Sequence, residues 1–298
     1  MPKEFNFEYL IFQFLNLYII IPAHNEEDSI ALTLESLVNQ TLLPKKVVVV
    51  NDNSTDNTQH IVETFTSKYP WITLINSNSS NEHLPGTKII NAFYKGFNTL
   101  DNNYEVICKF DADIILPTNY LESIVTVFRT NKKAGIVGGL LYIKINNKWV
   151  YETIASKSHV RGPIKAYRKA CFEKIGGLKK SIGWDTIDVL LAQYNGWEIK
   201  TDKNLNVKHL KPTGANYNKA SKYLQGEALF KMRYGFSLSF LSALKLAYKK
   251  KSFKLFKDYM SGYFKARKNK VEYLVNVEQG NFIRKLRWKG IKNKRGLK

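Results

Sequence analysis

Four strand-like runs fall between residues 17 and 116, at 17–22, 47–51, 72–77 and 106–116, and segments of helical spacing separate them. "LYIIIP" is followed by "HNEEDSIALTLESLVNQ", with Ile30, Leu34, Leu37 and Val38 on one side of a helix. "VVVVN" is followed by a helix over 58–69 that carries Ile61, Val62 and Phe65, and "ITLINS" by "TKIINAFYKGFNTL". Apolar strands alternating with amphipathic helices predict an α/β fold: a mostly parallel sheet with helices on both faces. Glu26, Glu27 and Asp28 suit the positive first turn of the helix behind them.

In such sheets ligands bind beyond the carboxyl ends of the strands. Polar clusters at 24–26, at Asp52 and Asn53, and at 111–113 all fall at those ends. Each alone reads as a cap or a turn. Three at equivalent positions point to one binding edge. "DAD", Asp111 to Asp113, puts two carboxylates one residue apart in what reads as an extended strand, so both share a face and can reach one hard cation such as Mg²⁺ or Mn²⁺. Pro117 and Thr118 already supply a start for the helix "LPTNYLESIV", so neither acid is needed as its cap.

Further on, "GIVGGLLYIKINNKWVYETIA" reads as strands around a turn at Asn146 and Asn147. "RGPIKAYRKACFEKIGGL" reads as a glycine turn, a short strand and a helix closed by Gly176 and Gly177.

Charge divides the chain. Residues 201–298 hold 25 Lys or Arg against 5 Asp or Glu, a net +20, whereas residues 1–200 hold 21 against 20. The basic third therefore expects an anionic partner. Within it, "FSLSFLSALKLAYKKKSFKLFKDYMSGYFKARK" has Leu238, Leu241, Leu244 or Lys245, and Tyr248 at helical spacing, then Phe253, Phe256, Met260 and Tyr263. A basic amphipathic helix with aromatics suits an anionic membrane interface, which makes 236–298 the expected membrane-facing region. The plainer reading is a helical hairpin with a charged outer face. No apolar stretch reaches the roughly 18 to 20 residues that span a bilayer. "YLIFQFLNLYIIIP" is interrupted by Gln13 and Asn16 and reads as a covering segment leading into the first strand. Two cysteines, Cys108 and Cys171, both in apolar surroundings, suit buried thiols in a reducing cytoplasm.

"IIIPAHNEEDSIALTLESL", "VVVVNDNSTDNT" and "KFDADIILP" together resemble, in order and spacing, the donor-binding half of family 2 glycosyltransferases with the GT-A fold. The likeness is close over 17–121 and looser to about Gly214. It implies a covering segment at 1–16, a GT-A catalytic domain at 17–215 and a basic, mainly helical region at 216–298. It also implies that Pro22, His24 and Glu26 border the nucleotide, that Asp52 accepts a hydrogen bond from the base, and that Asp111 and Asp113 hold Mn²⁺ or Mg²⁺. Lys88 matches a segment near the nucleotide sugar, although it also reads as a solvated helix lysine. His209 in "VKHLKPTG" matches a histidine that adds a metal or phosphate contact. Arg161 or Arg168, on either side of Gly162, could touch the diphosphate.

In "GWDTIDVLLAQYNGWEIKTD" the family places Glu-Asp before a helix that ends in Gly-aromatic. Counting back from Gly196 aligns Asp185 with that Asp, and Trp184 stands where the Glu is expected. Asp185 is the expected catalytic base, Asp188 is its rival or an acceptor-orienting group, and Trp184 is an expected wall for the acceptor. The implied reaction is inverting, metal-dependent transfer of a sugar from a nucleotide-diphosphate donor to a hydroxyl of a lipid-linked saccharide acceptor, performed at the inner face of the cell membrane. Two alternatives stand beside it. A sugar-nucleotide nucleotidyltransferase would need a glycine-rich basic loop where this chain has "PAHNEED". A nucleic-acid-binding protein on a degenerate fold would show salt-sensitive affinity for DNA or RNA, and is not favoured.

Overall fold

The computed structural model describes residues 15–78, 86–212 and 222–294. Most of the expected covering segment at 1–16, and the boundary at 215, lie outside the described residues. Four parallel strands open the fold: β1 (Leu17–Ala23), β2 (Lys46–Asp52), β3 (Ile72–Ser77) and β4 (Val106–Phe110). After them come β5 (Ile114–Ile115), β6 (Ala134–Ile145), β7 (Lys148–Tyr151), β8 (Ile164–Arg168) and β9 (Glu198–His209). They make one sheet in the order β3-β2-β1-β4-β8-β6-β9-β5, with β7 paired to β6. The parallel half is as expected. Beyond β4 the sheet is mixed, because β8 runs antiparallel to both β4 and β6.

Alternation along the strands feeds two cores. Leu17, Ile19 and Ile21 point to one face with Val47 and Val49, while Tyr18, Ile20, Val48 and Val50 point to the other. Helices α1 (Ile30–Val38), α2 (Thr58–Thr66) and α4 (Tyr120–Thr130) cover the first face. The second is covered by α3 (Thr87–Phe97), α5 (Lys169–Lys174) and α6 (Trp184–Tyr194). Asn146 and Asn147, with φ of 48° and 60°, make the expected β6–β7 turn. Cys108 and Cys171 are buried free thiols.

The basic third forms α7 (Leu224–Lys231), α8 (Gly235–Lys249), α9 (Phe253–Lys268) and α10 (Val277–Lys294). Leu238, Met232, Ala228 and Ile283 join the second core, so α7, α8 and α10 are packed onto the α/β body, while Tyr263 and Ala266 of α9 cluster with Phe230 of α7. At the crossing of α7 and α9, a Cβ on Gly226 would stand 1.8 Å from Tyr259 O and one on Gly262 2.0 Å from Tyr223 O. Only glycine permits that approach.

Two expectations need correction. "DAD" is not extended strand: β4 stops at Phe110, the chain turns through 111–113, and pairing resumes at Ile114 with His209. The acids 26–28 precede α1 instead of entering its first turn, because the N–H groups of Ser29 and Ile30 both donate to Glu26 O, at 3.0 and 2.9 Å.

Candidate active site

The carboxyl ends of β1, β2 and β4 lie side by side, and β9 runs parallel to β6 and delivers His209 to the same edge. Pairing of β1 with β4 ends at Ile20↔Lys109, two residues before Pro22, which has no N–H to give to a ladder. The strands part there and the edge opens. His24 and Asp52 meet across this opening: His24 Nδ1 donates to Asp52 O at 2.7 Å. The Asp52 side chain is buried, and its Oδ1 accepts from Ser77 Oγ at 2.8 Å. Glu26 Oε2 accepts from Ser29 Oγ at 2.5 Å and from Lys211 Nζ at 2.6 Å, joining the β1 loop to the segment after β9. Lys88 lies half-buried in the first turn of α3, at the same edge.

The 111–113 turn is fixed by its backbone. Asp111 N–H donates to Pro163 O at 3.0 Å, Leu210 N–H to Asp113 O at 2.8 Å, and Thr33 Oγ1 to Ala112 O at 2.8 Å. Ligand atoms of Asp111, Asp113 and His209 thereby come within 4.8 Å of one another. Two carboxylate oxygens and an imidazole nitrogen are a donor set that suits Mn²⁺ or Mg²⁺. Burial, and then the neighbouring Asp111 charge, push the Asp113 carboxyl up to about 7. His209 Nε2 is 3.6 Å from Asp113 Oδ2, and its Nδ1 is 3.5 Å from Glu152 Oε2. Burial opposes a charged His209 ring, yet contact with Glu152 and the field of Asp113 outweigh it and raise its pKa. Both groups therefore hold protons more tightly than usual, and a cation would displace those protons.

Facing this turn across residues 162–163 is the start of α6. A Cβ on Gly162 would lie 3.0 Å from Trp184 Cζ2 and 3.4 Å from Asp185 Cβ, so the strand entry runs tightly against the start of the helix. Asp185 is half-buried in the first turn of α6. Asp188 is in a different position. Its carboxylate is fully enclosed, accepting from Lys165 Nζ at 2.7 Å to each oxygen and from Tyr167 OH at 2.5 Å. Burial raises its pKa and the Lys165 ammonium opposes that rise. With Val189 N–H donating to its Oδ1 at 2.6 Å as well, this carboxylate is committed to four bonds inside the core, whereas Asp185 is only half-buried.

Three further expectations change. Trp184 is only 7% exposed, lying beneath Gly162 instead of standing as an open wall. Arg168 lies at the amino end of β4, opposite Val106, where its guanidinium donates to the carbonyls of Phe128, Asn131 and Ala134. It therefore ties α4 to β6, far from the binding edge. Arg161 is buried and paired with Glu152.

Sequence reading passed over Lys109, Lys165, Glu152, Lys211 and His159. The first two carried a signal, being lone lysines within apolar strands, "VICKF" and "PIKAY". Both are fully buried. Burial, and then the Lys165 charge, lower the His159 pKa to about 4, while Asp185 opposes the shift and Arg287 of α10 adds to it. The imidazole is thus neutral at neutral pH.

Residues 18–180, more than half of the chain, match the family described as glycosyl transferase family 2. The chain belongs to that family. This glycosyltransferase is 32% identical over 209 residues to the probable glycosyltransferase YdaM of Bacillus subtilis, a match covering 61% of the chain and 47% of YdaM. It is 24% identical over 165 residues to the poly-beta-1,6-N-acetyl-D-glucosamine synthase of Staphylococcus epidermidis, covering 54% of the chain and 34% of that protein. The chain thus spans about half or less of the length of these curated relatives.

Among solved structures, S. aureus TarS 1–349 in complex with UDP-GlcNAc superposes with a TM-score of 0.55 at 20% identity, over 78% of this chain and 67% of that one. The mannosyltransferase PcManGT from Pyrobaculum calidifontis, in complex with GDP-Man and Mn²⁺, does so with a TM-score of 0.54 at 14% identity, over 90% and 78%. At these identities the likeness speaks for the fold alone, which is GT-A.

Proposed function

We propose that this glycosyltransferase is an inverting, divalent-metal-dependent enzyme. It moves a sugar from a nucleotide-diphosphate donor to a hydroxyl of a lipid-linked saccharide in surface polysaccharide or glycolipid synthesis, at the inner face of the cell membrane. The observation that carries the reading is that one dipeptide separates the two carboxylate centres: Pro163 O holds Asp111 N–H at 3.0 Å, and Gly162 lies against Asp185. A carboxylate pair for the donor's phosphates and a lone carboxylate for the acceptor then flank one reacting carbon. The UDP-GlcNAc named for TarS, and the GDP-Man and Mn²⁺ named for PcManGT, support the same reading.

Asp111, Asp113 and His209 are the residues that would hold Mn²⁺ or Mg²⁺. When bound, the ion offsets the negative charge that develops on the departing diphosphate. Asp52 accepts an N–H of the base, Pro22, His24 and Glu26 border the nucleotide, and Lys88 reaches toward the donor's sugar or phosphates. Asp185 takes the proton of the acceptor hydroxyl as its oxygen attacks the sugar's anomeric carbon from the face opposite the diphosphate. The bond from that carbon to the phosphate oxygen breaks, nucleoside diphosphate leaves, and the configuration inverts. Glu152 keeps the His209 ring oriented, as a carboxylate behind a ligating histidine does.

The test is thermal stability against UDP, GDP and TDP, with and without Mn²⁺, beside an Asp113→Ala control. A ligand that binds only the native state raises the melting temperature. The expected result is a Mn²⁺-dependent rise with one nucleotide, UDP first, lost in the control. A rise that ignores both Mn²⁺ and Asp113 overturns the metal assignment.

A further inference from the structure

The helical third carries a surface that the glycosyl transfer itself does not use. On α8 the residues facing inward are Leu238, Ser239, Ala243 and Ala247, most of them small. Four of its large apolar side chains point outward instead: Phe236, Phe240, Leu244 and Tyr248, spaced four apart, are all exposed. Phe253 and Phe264 of α9 are exposed as well. The rings form one continuous strip across the hairpin, with Phe236 against Phe264 at 6.0 Å, Phe240 against Phe256 at 5.2 Å and Phe253 against Phe256 at 5.7 Å. The strip peaks at the α8–α9 connection, where Tyr248 is 85% and Phe253 66% exposed.

An exposed aromatic strip of this extent marks an interaction surface. Its charge says with what. Residues 236–268 contain eight lysines and one arginine against a single acid, Asp258, and Asp258 is paired with Lys222 at 3.2 Å. Lys249, Lys250 and Lys251 sit at the connection itself, and Lys254 and Lys257 follow on the first turns of α9, all exposed. No described helix is long and apolar enough to cross a membrane. Helix α10, the other basic element, is packed against α6 and α8, with Ile283 buried in the second core, so it does not cover the strip.

We propose that the outward face of the α8–α9 hairpin docks on an anionic phospholipid bilayer, with Tyr248 and Phe253 entering the headgroup region and the lysines of the connection lying over the lipid phosphates. This rests on the reading of a lipid-linked acceptor and narrows its membrane-facing region from 236–298 to one face of 236–268. Aromatic rings are suited to that depth, where one edge is wet and the other apolar. Basic side chains beside them gain from the negative surface potential.

The experiment is co-sedimentation of the full chain with phosphatidylcholine vesicles, with and without phosphatidylglycerol, at low and high salt. The chain should pellet with the anionic vesicles and be released by salt. A Lys249/Lys250/Lys251→Gln variant should bind about a hundredfold more weakly, and a Tyr248→Ser/Phe253→Ser variant roughly tenfold or more. All of these side chains are exposed, and the nucleotide-induced rise in melting temperature, measured in parallel, should be unchanged. Failure to pellet with anionic vesicles, equal binding to neutral ones, or indifference to both variants overturns the docking surface. Loss of the nucleotide response in the unmodified chain would instead overturn the donor reading.

Discussion

Lys109 and Lys165 stand directly opposite one another in the antiparallel pairing of β4 and β8, both fully buried, with their ammonium groups 5.2 and 5.6 Å from the ring of Trp184. Like charges facing across a ladder repel. Here each has its own carboxylate, Asp111 for Lys109 and Asp188 for Lys165, and they share the indole face. Lys165 also donates to the Asp185 carbonyl at 2.5 Å, so this pair anchors the first turn of α6 from beneath.

Breaking that anchor from one side should be costly. Lys165→Met leaves the Asp188 carboxylate buried without its cation, and Asp188→Leu leaves the ammonium so. Each should destabilise the fold by about 3–5 kcal/mol in urea denaturation. The double variant should recover most of the loss, short of about 1–3 kcal/mol for the Tyr167 hydroxyl that also bonds Asp188. Additive losses would mean that the ion pair does not hold the helix start.

Asp185→Asn should separate chemistry from folding. The side chain is half-buried and keeps its shape, so the melting temperature and the nucleotide response should stay where they are. Turnover with saturating donor and acceptor should fall by about 10²–10⁴, the range of a lost general base. Turnover within a few-fold of the unmodified enzyme would remove Asp185 from that role.

How far the sequence reached follows from which forces are local. The parallel half of the sheet was legible because each strand and helix announces itself within a dozen residues. The antiparallel crossing of β8 was not, since its partners β4 and β6 are chosen by tertiary packing. Asp111, Asp113 and His209 were legible as a set through the family likeness, and the structure brings them together. Their arrangement was not: the 111–113 turn depends on Thr33, Pro163 and Leu210, contacts from three distant segments. Asp188 read as an accessible acid because helical spacing places it one turn beyond Asp185, and nothing local reveals that Lys165 and Tyr167 wait for it on β8.

Thr33 offers a test of that turn. Its hydroxyl donates to Ala112 O at 2.8 Å and accepts from Ile114 N–H at 3.1 Å, all buried. Thr33→Val keeps the shape and strands both backbone groups. It should cost about 1–3 kcal/mol in stability and weaken Mn²⁺ binding, read by titration calorimetry, although Thr33 is not among the candidate metal ligands. Unchanged Mn²⁺ affinity would show that the turn holds its geometry without α1.

The last prediction concerns pH. Asp113 has a folded pKa of about 7, well above the unfolded value of about 3.9. Its neutral form is therefore favoured by folding, and stability without metal should decline as pH rises through that interval toward 7. His209 acts in the same direction, because its raised pKa gives stability below the unfolded value of about 6.5 that is lost as pH rises through the folded one. A cation reverses the trend, since it binds the ionised carboxylate and the neutral imidazole and must displace their protons. The rise in melting temperature on adding Mn²⁺ should thus be larger at pH 8 than at pH 6, and apparent Mn²⁺ affinity should fall by about tenfold per proton displaced for each unit below the Asp113 value. Differential scanning calorimetry at the two pH values, with Asp113→Asn as the comparison, checks it. A Mn²⁺ response equal at both, or one that survives Asp113→Asn with its pH dependence intact, would place the cation away from Asp113.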